Sequence, residues 1–156
     1  MCTELQKYCV LCFDEMSIKT FLQYQPHNDL IEGLVDHGRG ATDPEFASQA
    51  LTFMVCGVFE KRKQAVGYVL SNAATPALTL HELLKTCLSK LVEAGLKPKV
   101  LICDQGTTNQ SLYNSYLKVS ADKPFFEFEG HEIITMFDSQ YLVKLVRNML
   151  LSKVSH

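Results

Sequence analysis

No stretch of this 156-residue chain is long and apolar enough to cross a bilayer: the longest strongly apolar run, Phe53 to Phe59, is about a third of the roughly 20 residues required. A charge excess of either sign is also missing, with 15 Lys and Arg against 17 Asp and Glu and a formal charge of −2. Stand-alone nucleic-acid-binding domains usually carry a basic excess that neutralises phosphates, so any contact with DNA must be local. The amino terminus, Met1-Cys2-Thr3-Glu4, lacks the basic start and apolar run of a secretion signal, which predicts a reducing compartment and six free cysteine thiols. There is no G-x-x-x-x-G-K-[ST] loop to cradle phosphates and no G-x-S-x-G nucleophile elbow. Gly38-Arg39-Gly40 lacks the third glycine and the preceding strand of a dinucleotide fingerprint.

What remains is an ordinary globular composition, 47% hydrophobic and 21% charged, which excludes a disordered, collagen-like or coiled-coil chain. A chain of this length buries roughly two-thirds of its unfolded surface and needs no disulfide or structural metal. Cys9 and Cys12 form a C-x-x-C, but on a strand, positions three apart point to opposite faces. No second pair completes a zinc site. Cys9, Cys12, Cys56, Cys87 and Cys103 are therefore expected as small core thiols.

Residues 7 to 19 read as a long first strand with a carboxylate inside it. Thr20 to Glu45, with Pro26, Gly33, Gly38, Gly40 and Pro44, reads as mostly loop, with one short strand around Leu30 to Val35. Ala50 to Phe59 and Ala65 to Leu70 flank the charged turn Glu60 to Gln64 as two strands. From Leu78, the spacing of Leu80, Leu83, Leu84, Cys87, Leu88, Leu91 and Val92 predicts a helix, with Thr79 and Glu82 as a capping box and Gly95 as its stop. Val100 to Cys103 is an all-apolar strand. A second helix over Thr108 to Leu117, a strand pair over Phe125 to Phe128 and Glu132 to Phe137, and a last helix from Ser139 complete the order. The fold class is α/β: a mixed sheet with a hairpin half, then β-α units, in a single domain over residues 1 to 156.

Two acidic residues combine an apolar strand with a polar exit: Asp14 after Leu11-Cys12-Phe13, and Asp104 after Leu101-Ile102-Cys103. If their strands are neighbours, both carboxylates emerge at one edge of the sheet and raise each other's pKa unless a cation intervenes. Mg²⁺ prefers such oxygens and keeps several waters, and a pair of ions about 4 Å apart can cleave a phosphodiester. Taken singly, each Asp reads first as a turn former or helix cap, and Gly106-Thr107-Thr108 after Asp104 strengthens that reading because it suits a strand-to-helix turn. Lys61-Arg62-Lys63 at the hairpin tip reads as a solvated turn that could touch a phosphate backbone.

Several segments in order resemble the P-element-type transposases, including the THAP-domain relatives. They are Phe13-Asp14-Glu15-Met16-Ser17-Ile18, the run from Leu30 to Gly38, Val66 to Ser71, Cys103-Asp104-Gln105-Gly106 with Asn109, and Phe137-Asp138 followed by Leu142, Lys144, Arg147 and Asn148. The resemblance implies the first part of a ribonuclease-H-like catalytic domain, incomplete at its carboxyl end, with three antiparallel strands preceding the β-α units. It implies Asp14 and Asp104 as the first two members of an acidic metal-binding triad, with Mg²⁺ or Mn²⁺ as the cofactor. It also implies DNA transposon ends as partner, a nuclear location, no membrane, and a GTP-binding insertion and catalytic Glu that would lie beyond His156. Residues 139 to 156 would lead toward that insertion, with the surface from Leu151 onward able to pair with another copy as a homo-oligomer. The expected function is the amino-terminal part of a cut-and-paste transposase core, inactive on its own; a transposase-derived interaction module is the alternative. An unrelated ribonuclease-H-like nuclease would need Asp138 or Glu132 as a third acid.

Overall fold

The computed structural model describes residues 4–27, 29–36 and 42–138. A 3-10 turn over Glu4–Lys7 leads into β1 (Tyr8–Ser17), where Cys9, Leu11 and Phe13 are buried while Cys12 and Asp14 take the other face, the two-residue period of a strand. The segment expected to be mostly loop forms four short strands: β2 (Gln23–Gln25), β3 (Leu30–Glu32), β4 (Leu34–Asp36) and β5 (Thr42–Phe46). β2 and β3 pair as a separate ribbon, while β4 and β5 extend the main sheet through Asp36 opposite Leu70. Three to five residues are too few for an alternation to show in sequence, and the pairing partner that stabilises β4 is supplied by tertiary structure. Gly33 turns the chain between β3 and β4 at φ +103°, and its carbonyl accepts from the Ala47 amide at 2.9 Å.

β6 (Gln49–Gly57) and β7 (Lys63–Ser71) form the expected hairpin, and β6 runs antiparallel to β1. The first helix, α1 (Ala77–Glu93), buries Leu80, Leu84, Leu88 and Leu91 against the sheet. Its expected capping box does not form. Pro76 occupies the cap, Thr79 is already inside the helix, and no side chain bonds the cap. Instead Glu15, from the odd face of β1, accepts from both Thr75 N (2.9 Å) and Thr75 Oγ1 (2.8 Å), which also sets a carboxylate beside the positive end of α1. The carboxyl end follows expectation: Gly95, at φ +80°, donates to Val92 O while Leu96 N donates to Leu91 O, the paired bonds of a Schellman stop.

β8 (Lys97–Cys103) lies parallel to β1, with Leu11 opposite Leu101 and Cys12 opposite Ile102. The next helical segment starts as α2 (Thr107–Ser111) and continues over Leu112–Tyr116 as a π turn, closed by Leu117 N on Leu112 O at 3.0 Å, rather than as one regular helix. β9 (Phe125–Phe128) and β10 (His131–Phe137) pair across Glu129-Gly130, both at positive φ, as in a type I′ hairpin turn. β10 runs parallel to β8, giving the order β5-β4-β7-β6-β1-β8-β10-β9. The sequence-based order therefore holds for the described core: three antiparallel strands, helix, strand, helix, strand. The predicted helix from Ser139 lies outside the described residues.

Tyr113 ties the π turn to the sheet, since its buried hydroxyl lies within donating distance of Leu101 O (3.3 Å) and Met136 O (3.2 Å), with burial holding its pKa far above the usual phenol range. Tyr113→Phe keeps the ring and loses that bond, so it should lower unfolding free energy by about 1 kcal/mol in a urea titration. An unchanged midpoint would show that neither carbonyl depends on it. Of the expected core thiols only Cys9 and Cys103 are fully buried; Cys12, Cys56 and Cys87 are half-buried, because the first two sit on the sheet face away from α1. All five described cysteines are free, and burial pushes Cys9 to about 11 and Cys103 to about 12, which keeps both protonated near neutrality.

Candidate functional site

Side-chain parity decides what the end of β1 presents. Asp14 shares the outward face with Cys12, while Glu15 turns inward to Thr75. On β8 the register pairs Cys12 with Ile102, so Asp14, two residues further along β1, and Asp104, just past the end of β8, are delivered to the same edge of the sheet. Both line one cleft of about 290 Å³, floored by Met16, Met54 and Ile102 and joined by Asp138. Asp138 follows β10, and its amide donates to Cys103 O at 2.8 Å.

The two carboxylates are tethered unequally. Among the described residues, Asp14 Oδ1 accepts only its neighbour's amide, Glu15 N, at 2.9 Å. Asp104 Oδ1 accepts from Gly106 N at 3.1 Å and from Asn109 Nδ2. Asp14 is open to solvent on the cleft side, yet the sheet behind it strips enough water for burial to raise its pKa above 3.8, with Asp104 and Asp138 adding like-charge repulsion. Such a pair favours a cation. Hard oxygen donors on adjacent strand ends suit a divalent ion that keeps several of its own waters. Among the described residues no group of three His, Cys, Asp or Glu is arranged to hold a metal, so the fit is that of a two-carboxylate half-site.

Behind Asp104, on the helix side, a smaller cavity of about 180 Å³ is lined by Glu15, Thr75, Gly106 and Asn109. The clasp between Glu15 and Thr75 escapes sequence reasoning, and its only trace is an amide left unpaired just ahead of Pro76. Glu132, the other candidate third acid, stands opposite Glu127 near the start of β10, about 20 Å along the strand from Asp138 and outside the cleft.

Residues 1–117 match the family model described as the TNP-like, RNase H N-terminal domain. The chain belongs to this family. The matched span contains both Asp14 and Asp104, along with every element from β1 through the π turn. Among curated proteins of the same kind, DNA transposase THAP9 of Homo sapiens is 26% identical over 154 residues, and the Transposable element P transposase of Drosophila melanogaster is 28% identical over 148. Each alignment covers 93% of this chain and 17% of the relative, so the chain spans about a sixth of the length of these proteins. The Drosophila P element transposase strand transfer complex superposes with a TM-score of 0.71 at 28% identity, over 92% of this chain and 29% of that one. The ribonuclease-H-like mixed sheet expected from sequence is thus the fold of this TNP-like domain. No helix among its described residues is long and apolar enough to cross a membrane.

Proposed function

We propose that this chain is the first part of a DNA transposase catalytic core and that Asp14 and Asp104 are two ligands of its divalent cation, Mg²⁺ or Mn²⁺. The observation that carries the reading is the arrival of both carboxylates, ninety residues apart in sequence, in one cleft of a TNP-like RNase H domain. Bound there, the cation would supply charge neutralisation and an activated water for cutting and joining phosphodiester bonds. The chain's own contribution is positional: β1 and β8 fix the separation of the two acids, and the Thr75–Glu15 clasp fixes the end of β1. DNA is the substrate on this reading, the nucleus is the place of action, and the third acid comes from outside the described residues. The strand transfer complex of the Drosophila P element transposase supports pairing with further copies.

Electron paramagnetic resonance titration with Mn²⁺ tests the reading. The wild-type chain should bind the ion, and Asp14→Ala and Asp104→Ala should each weaken binding at least tenfold. The same protein should not nick plasmid DNA, because two carboxylates position an ion poorly for in-line attack. Equal Mn²⁺ affinity in all three proteins would overturn the metal assignment. Nicking that vanishes in Asp14→Ala would overturn the missing third acid and point to Asp138.

A further inference from the structure

We infer that Asn109 is a positioning residue for Asp104, pinning Oδ1 of that carboxylate so that Oδ2 faces the cleft; this rests on the reading of Asp14 and Asp104 as metal ligands. An aspartate at a strand exit has two free torsions, and its carboxylate would otherwise sample several rotamers. Here one oxygen is held from two directions. Asn109 Nδ2, one turn into the helical segment, donates to Oδ1 and lies 3.4 Å from the Asp104 carbonyl oxygen; Gly106 N donates to the same Oδ1 at 3.1 Å. The amide must point its nitrogen at Asp104, because the flipped orientation would set oxygen against oxygen.

A third feature converges on the same atom. Gly106 has an ordinary backbone, φ −62° and ψ 156°, so nothing about its conformation demands glycine. A Cβ at that position would lie 3.1 Å from Asp104 Oδ1, closer than most side chains come, and 3.6 Å from Oδ2, an ordinary contact, so Oδ1 is the oxygen that would have to move. A methyl group here would push the carboxylate out of the position that Asn109 and the Gly106 amide hold. The chemistry of the partner fits as well: a Lys or Arg at 109 would neutralise Asp104 and compete with a cation, whereas a neutral amide orients the carboxylate and leaves its charge available. Partners of this kind, which orient a ligand without touching the metal, typically change metal affinity 10–100-fold when removed.

The test uses the 156-residue chain, Mn²⁺ as the probe and two readouts, Mn²⁺ affinity by paramagnetic resonance and the unfolding midpoint of the metal-free protein. Asn109→Leu, with the same branched shape but bulkier and without a donor, should weaken Mn²⁺ binding about tenfold. The metal-free midpoint should move far less. Asn109→His, which can donate a ring N–H over a similar reach, should recover most of the affinity. Gly106→Ala, which crowds Oδ1 without touching Asn109, should also weaken binding, and it carries the test should Asn109→Leu fail to fold. Wild-type affinity in Asn109→Leu or Gly106→Ala, with binding lost in Asp104→Asn, would sink the positioning role alone. Undiminished binding in Asp104→Asn would sink the metal reading and this role with it. A large fall in the metal-free midpoint of Asn109→Leu with no change in Mn²⁺ affinity would make the contact a structural clasp instead.

Discussion

Asp104→Asn should raise the thermal stability of the metal-free chain near neutral pH and abolish its stabilisation by Mg²⁺ or Mn²⁺. Asparagine keeps the shape of the side chain and can still accept from Gly106 N and Asn109, so the change removes charge and little else. The charge removed is one of those that raise the pKa of Asp14. A carboxylate whose folded pKa lies above its unfolded value costs stability wherever it is ionised in the folded state. That cost is full above the folded pKa, fades as pH falls through it, and is gone below the unfolded value near 3.8. The advantage of Asp104→Asn over wild type should accordingly shrink as the buffer is acidified. With metal the order reverses: an ion at a hundred times its dissociation constant stabilises the folded state by about 2.7 kcal/mol, or roughly 5–10 °C for a chain of this size, and only wild type gains it. Calorimetric melts with and without Mn²⁺ decide the matter; the same metal-induced shift in both proteins would disprove the assignment.

The second large effect is expected far from the cleft, at Gly33. Its φ of +103° is a backbone state that L side chains rarely adopt, and a Cβ there would overlap the Phe21 carbonyl oxygen, a main-chain atom that no rotamer change can move aside. Gly33→Ala should therefore destabilise by about 3 kcal/mol or more, at the upper end of the cost of a strained backbone residue. Gly95 is the control. It also has positive φ, +80°, but opens onto free space, so Gly95→Ala should cost only about 1 kcal/mol. Urea titrations of the two variants should separate cleanly. Equal losses would mean that the chain at Phe21 shifts to admit the methyl group and that the approach between β1's exit and the β3–β4 turn is slack.

The strands that carry the acids were legible because each announces itself locally: an unbroken apolar run ends in an aspartate, and the helix between them spaces its leucines at 3.6-residue intervals. The resemblance to P-element-type transposases added their order. Elements that depend on a neighbour were not legible. The single short strand expected around Leu30 to Val35 is split at Gly33 into β3 and β4, and the partners of β4, β5 on one side and β7 on the other, could not be read from Leu34-Val35-Asp36 alone. The capping box at Thr79 and Glu82 satisfied the local pattern yet lost to Pro76, and the donors ahead of α1 are met by Glu15, sixty residues away. In the sequence Asn109 is linked to Asp104 only as part of the resemblance, and the sharing of one carboxylate oxygen between its amide and Gly106 emerges only from the folded turn.

β1 is the first long strand of the chain, yet one of its two ladder partners, β8, comes after a hairpin and a seventeen-residue helix. During synthesis on a ribosome, the β1, β6 and β7 meander can close early, leaving the Asp14 edge of β1 open until α1 and β8 have emerged. Distant pairings of this kind are slow to form, since a long loop must be closed before any contact rewards it. The carboxylate pair thus comes into being only with this late step, so in a nascent or partly folded chain the two acids lie far apart and the cleft proposed to gather a divalent ion does not yet exist.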